Sequence, residues 1–230
     1  MQIIKGFNYI TQDPDWVKKI LIGSIVTAIP VVESISDGYQ IQTIKNIRAN
    51  NPRPLPEWDD ASTFFKQGIG LRLIIYAIYI PTFITTVLAI ILTFAGILGM
   101  FVNDADARYE LFIGRFLGWK LFIPILDVIV LTVLPIVFIT IPVLSRRLAA
   151  GHSVLSLFNP FPTVKLIFSN FGAYVLSRVA VFTIITIAII LSTVVNVLPV
   201  IGILASWFIV AVARFWGRLM WAYYLAHMNY

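Results

Sequence analysis

A pair of acids and a pair of arginines stand out in a chain otherwise poor in charge. Glu33 and Asp37 are four residues apart, and so are Arg214 and Arg218. Residues four apart share one face of a helix. Each pair follows or interrupts an apolar run, and ionisable groups inside such runs are costly and usually partnered. Glu33 is about as far from the start of its run as Arg214 is from the start of its own. The spacing therefore predicts a two-rung ladder, Glu33 with Arg214 and Asp37 with Arg218. Such a ladder staples helices together, or it lines a polar pathway for an ion, a proton or a lipid head group. Asp127, inside another apolar run, is a further candidate for that pathway.

No catalytic set emerges. The sequence holds no Walker-type phosphate loop, no HExxH and no GxSxG elbow. It has no cysteine and only two histidines, His152 and His227, so neither a metal nor another cofactor is expected. Glu57, Asp59 and Asp60 could offer hard oxygens to a divalent cation. Acids opening a helix are the better reading of that cluster.

The elements that must position these residues are helices in a bilayer. Of 230 residues, 59% are hydrophobic and 12% charged, with mean hydropathy +0.90. Soluble domains carry roughly 25% charged residues. A net charge of +6 in a soluble chain would raise nucleic acid as a partner. Here the basic residues flank apolar runs, which fits anionic lipid heads and membrane orientation instead. The N-terminus lacks the order of a cleavable signal peptide.

Runs 73–101, 121–144, 179–198 and 200–224 are each long enough to span. A fifth span is expected in a long helix over 16–47, started by Asp13-Pro14 and turning its acids inward. Segments 56–69 and 159–172 each open with proline, and read as short amphipathic helices lying in the interface. Trp58, Phe64 and Phe168 would anchor them there. Basic turns, 44-IKNIRANN-51 and 144-LSRRLAAG-151, precede both.

The expected architecture is an all-α integral membrane bundle of about five transmembrane helices with two interfacial helices. Residues 1–230 form one membrane domain with a weak internal repeat: half one over about 14–101, half two over about 119–198, and an extra span over about 200–226. Lys and Arg counts place the N-terminus outside and the C-terminus in the cytoplasm, in the inner membrane. A re-entrant first helix would move Lys5, Lys18 and Lys19 inside and sharpen the charge asymmetry further.

Segments 13-DPDW-16, 20-ILIGSIVTAIPVV-32, 38-GY-39, 55-LPEW-58 and 68-GIGL-71 carry a resemblance. The chain is similar to a family of polytopic membrane proteins of bacteria and archaea classed as a domain of unknown function. The resemblance implies a shared fold and brings no catalytic residues with it. Gly38-Tyr39 then reads as a close helix approach, and Leu55-Pro56-Glu57-Trp58 as the start of an interfacial helix. The functional expectation is an accessory or scaffold subunit without catalysis of its own. Its partners would be membrane lipid and a membrane complex or further copies of itself. The alternative is a transporter or channel for a small solute, ion or lipid, using Glu33, Asp37, Arg214 and Arg218.

Overall fold

The computed structural model describes residues 2–29, 32–98, 134–196 and 201–228. Eight α-helices and two 3-10 turns make up its regular structure, with no strand among the described residues. The helices are α1 (Gln2–Thr11), α2 (Trp16–Ala28), α3 (Glu33–Arg48), α4 (Ala61–Leu98), α5 (Leu134–Ala149), α6 (Phe161–Ser169), α7 (Phe171–Val195) and α8 (Ile201–Ala226). Only α7 and α8, among the described residues, are long and apolar enough to meet the criteria for crossing a membrane. The chain divides into two compact units: Met1–Ile74 with Pro142–Tyr230, and Ile75–Ile141. The described part of the second unit is helical, from α4 and α5.

Helix α8 organises the first unit. It packs against α7, α2, α3 and α1. Helix α1, which the sequence reading did not anticipate, is fastened to α8 by the Tyr9 hydroxyl, which donates to the Leu219 carbonyl at 2.6 Å. Phe7 lies 5.0 Å from Trp216, ring to ring.

The long helix expected over 16–47 is two helices. Helix α2 stops at Ala28 and α3 starts at Glu33. The pair folds back on itself: Thr27 and Ser36 hydroxyls meet at 2.8 Å. At the open end, Lys19 Nζ donates to the Leu55 carbonyl at 3.1 Å. One continuous helix would separate Lys19 from Arg48 by roughly 43 Å. Seven further residues could recover at most about 24 Å of that. The contact therefore requires a hairpin. Pro30 supplies the reason, because proline disfavours helix at the residue before it and removes a donor. The Asp13 cap is also corrected. Its carboxylate accepts from the Asp15 amide at 3.0 Å and pairs with Lys19, while Asp15 stands at the N-cap position of α2 without a side-chain bond to the helix.

Leu55-Pro56-Glu57-Trp58 closes the hairpin rather than opening an interfacial helix. Leu55 holds Lys19, and Glu57 pairs with the same ammonium at 2.6 Å. The Pro56 carbonyl accepts from the Tyr39 hydroxyl at 2.9 Å. Trp58 stacks on Tyr39 at 4.3 Å and donates its indole N–H to the Lys19 carbonyl at 3.2 Å. Phe64 is buried beside Tyr39, and Phe215 completes the ring cluster. Trp58 and Phe64 thus both belong to the packed ring cluster. No separate helix covers 56–69; a 3-10 turn, Trp58–Asp60, runs directly into α4. Asp60 caps α4 by accepting from the Thr63 amide at 3.0 Å. Hydrogen bonding from Thr63, then Ser62, holds its carboxyl below the ordinary range.

The second expected interfacial helix does stand alone, as α6. It buries Thr163, Leu166 and Ile167, and leaves Phe168 70% exposed. Both basic turns end the same way. Asn51 N–H reaches back to the Asn46 carbonyl around Asn50 at φ 53°, and His152 N–H to Arg147 around Gly151 at φ 86°. This is the left-handed C-terminal motif that favours Asn or Gly. Arg146 and Arg147, read from sequence as flanking charges, are buried. Arg147 clamps the following turn through the Ser156 and Asn159 carbonyls and the Thr163 hydroxyl.

Helices α3 and α4 touch through two glycines. A Cβ on Gly38 would lie 1.8 Å from the Phe64 carbonyl oxygen, and one on Gly68 1.8 Å from that of Ser34. Gly172 has open space around it. Gly38→Ala and Gly68→Ala should each destabilise by about 1–3 kcal/mol or more. Gly172→Ala should be neutral or stabilising by up to about 1 kcal/mol. Thermal unfolding of the detergent-solubilised protein reads all three.

A candidate functional site of buried charge

Glu33 is the first residue of α3, at the tip of the hairpin, and Asp37 lies one turn on. Both carboxylates are buried, with side chains 9% and 6% exposed. The hairpin delivers them to the middle of α8. There Arg214 Nη2 donates to Glu33 Oε1 at 2.7 Å, and Arg218 Nη1 lies 3.1 Å from Asp37 Oδ1. Both rungs read from the spacing are therefore in contact.

Two features extend the ladder. Arg218 also reaches Glu33 Oε1 with its other terminal nitrogen, so it bridges both acids. Arg72 of α4 joins from the other side. Its Nη1 sits 3.0 Å from Glu33 Oε2, and its Nε donates to Asp37 Oδ2 at 2.6 Å. Arg72 was read as a flanking charge because it precedes an apolar run. The close α3–α4 crossing at Gly38 and Gly68 is what brings it in. The ladder is a cluster of two carboxylates and three guanidiniums.

Asp127 lies outside the described residues. His152 and His227 are exposed, and His227 Nδ1 is 2.8 Å from the Tyr223 carbonyl. Glu57 is engaged with Lys19 and Asp60 caps α4, so the acidic segment is already employed structurally. Among the described residues, no three His, Cys, Asp or Glu side chains converge as metal ligands. An open apolar pocket of about 250 Å³ lies between α1, α7 and α8, lined by Phe7, Leu191 and Trp216 among others.

The sequence profile of a family described as "Protein of unknown function (DUF4013)" matches residues 21–198. That is well over half of the chain. The chain belongs to the DUF4013 family. The match takes in the hairpin from residue 21 onward, the Leu-Pro-Glu-Trp segment and Arg72, but begins beyond Asp13–Trp16 and Lys19 and ends before Arg214 and Arg218. The family thus covers the acids and one of their three arginines. No curated protein and no solved structure matches this DUF4013 chain.

The cluster yields a sharp energetic test. Removing one member of a buried ion pair costs about 3–5 kcal/mol, because the partner is left uncompensated. Arg72 is the partner of Glu33 Oε2 and Asp37 Oδ2, so Arg72→Leu should destabilise by up to about that amount. Arg72→Leu combined with Asp37→Leu should cost less than Arg72→Leu alone. Unfolding midpoints in detergent compare the two, and equal or additive losses would remove the coupling.

Proposed function

We propose that the protein is an integral membrane accessory or scaffold subunit without catalysis of its own. The observation that carries this is the inverted polarity of the hairpin. Helix α2 turns Val17, Leu21 and Ile25 outward, and Ile29 follows just past its end, all at least 44% exposed. It buries Lys19, Ser24 and Thr27. Helix α3 buries Glu33, Ser34, Ser36, Asp37, Gln40 and Thr43. Water would favour the reverse arrangement; lipid favours this one.

In this reading, α2 and α3 enter the bilayer and leave on the same face. Helices α4, α5, α7 and α8 cross it. Both termini and both basic turns are cytoplasmic, in the cell membrane, which agrees with the bias of Lys and Arg. Close to the C-terminus, the Met228 carbonyl accepts from Arg146 Nη2 at 3.4 Å, beside the second basic turn. Helix α6, with Phe161 and Phe168 outward, lies in the interface. Exposed apolar residues along α7 contact lipid or a partner.

The scaffold reading is supported by the state of the buried acids. Each carboxylate is held by at least two guanidiniums. A carboxylate so held is poor at taking up and releasing ions, and good at fixing helices. Transport of a small solute, ion or lipid is the second reading, favoured by the 45% exposure of the Arg214 side chain.

Native extraction in mild detergent, followed by mass spectrometry of the intact assembly, separates them. The account expects a second protein at fixed stoichiometry. A lone chain, or a homo-oligomer carrying a bound solute, would move the assignment to transport.

A further inference from the structure

We propose that Arg214, backed by Arg218, binds a phosphate-bearing anion, the headgroup of an acidic lipid or free phosphate. The proposal rests on the membrane placement of α8 proposed above, and not on the scaffold role. Among the described residues, the cluster holds three guanidiniums against two carboxylates. Its members do not share the deficit equally. Arg72 contacts both acids, and so does Arg218. Arg214 contacts Glu33 alone, through one nitrogen, and on an oxygen that Arg218 also uses. The side chains of Arg72 and Arg218 are 13% and 18% exposed, against 45% for Arg214.

Arg72 and Arg218 thus suffice to balance Glu33 and Asp37, and Arg214 is the surplus cation. It lies roughly 20 Å along α8 from Ile201 and about 18 Å from Ala226. Toward the start of α8 the face that carries Arg214 is apolar: Val210 is half-buried and Trp207 exposed. A surplus charge in such surroundings recruits a counter-ion. Arg214 donates to the acids through Nη2 alone, and the Nε–Nη1 edge of its guanidinium matches two oxygens of one phosphate.

The test uses the full chain, purified and reconstituted in vesicles of phosphatidylcholine with increasing phosphatidylglycerol. A parallel series holds phosphatidylcholine constant and adds inorganic phosphate. Thermal unfolding midpoints are compared for the wild type, Arg214→Gln and Arg218→Gln. The expected result has three parts. The wild-type midpoint rises with phosphatidylglycerol. Arg214→Gln loses that rise, with apparent affinity weaker by about tenfold or more. In pure phosphatidylcholine, Arg214→Gln unfolds close to the wild type, while Arg218→Gln unfolds well below it. A rise with inorganic phosphate as well as with phosphatidylglycerol assigns the site to the phosphate group itself; a rise with the lipid alone assigns it to a headgroup in place. No rise in either series overturns the proposal. So does a rise retained by Arg214→Gln. So does an Arg214→Gln protein as unstable in phosphatidylcholine as Arg218→Gln, because Arg214 would then be needed by the acids themselves.

Discussion

Two carboxylates one helical turn apart cannot be buried unless cations come to them. That constraint ties this fold together. Glu33 and Asp37 sit where α3 begins, and their own helix offers basic residues only in its last turn. The compensating charges come from Arg72, on α4, and from Arg218, far along the chain on α8, with Arg214 adding a further contact to Glu33. Three helices that are distant in sequence must therefore meet at one point. The close crossing at Gly38 and Gly68 follows, because a side chain at either position would push Arg72 out of reach.

A second charged contact fixes the other end of the hairpin. The Lys19 ammonium is buried between Asp13, Glu57 and the Leu55 carbonyl. Four consecutive residues, Leu-Pro-Glu-Trp, thereby engage both strands of the hairpin through main chain, charge and ring stacking. A segment with so many obligations leaves little for independent function. Its acidic, Trp-bearing composition reflects the need to close a polar interior, and Asp60, two residues beyond it, starts the next helix.

The ladder was legible in the sequence because its signal is local twice over: acids four apart and arginines four apart, each at a similar distance into its helix. Arg72 has no such signature. It stands alone at the edge of an apolar run, where orientation charges usually stand, and only the glycine crossing reveals its role. The hairpin was misread for a comparable reason. Proline is tolerated in membrane helices, so Pro30 did not force a break, and inward-facing acids fit a long helix equally well. The contact that excludes it, Lys19 with Leu55, joins residues with no sequence periodicity between them. Trp58 was assigned to the interface on the usual habit of membrane tryptophans. Tyr39 instead offers it a ring to stack on. The isolated helix α6, by contrast, follows from its two prolines and the break at Asn170.

The central claim is that α2 and α3 return to the face from which they came. The chain has no cysteine, so single cysteines report cleanly. Lys18 and Arg53 are exposed just inside and just beyond the ends of the hairpin. Lys18→Cys and Arg53→Cys should both react with a membrane-impermeant maleimide in vesicles of one orientation, and neither in vesicles of the other. Labelling from opposite faces would mean that this segment crosses the membrane, and would contradict the account.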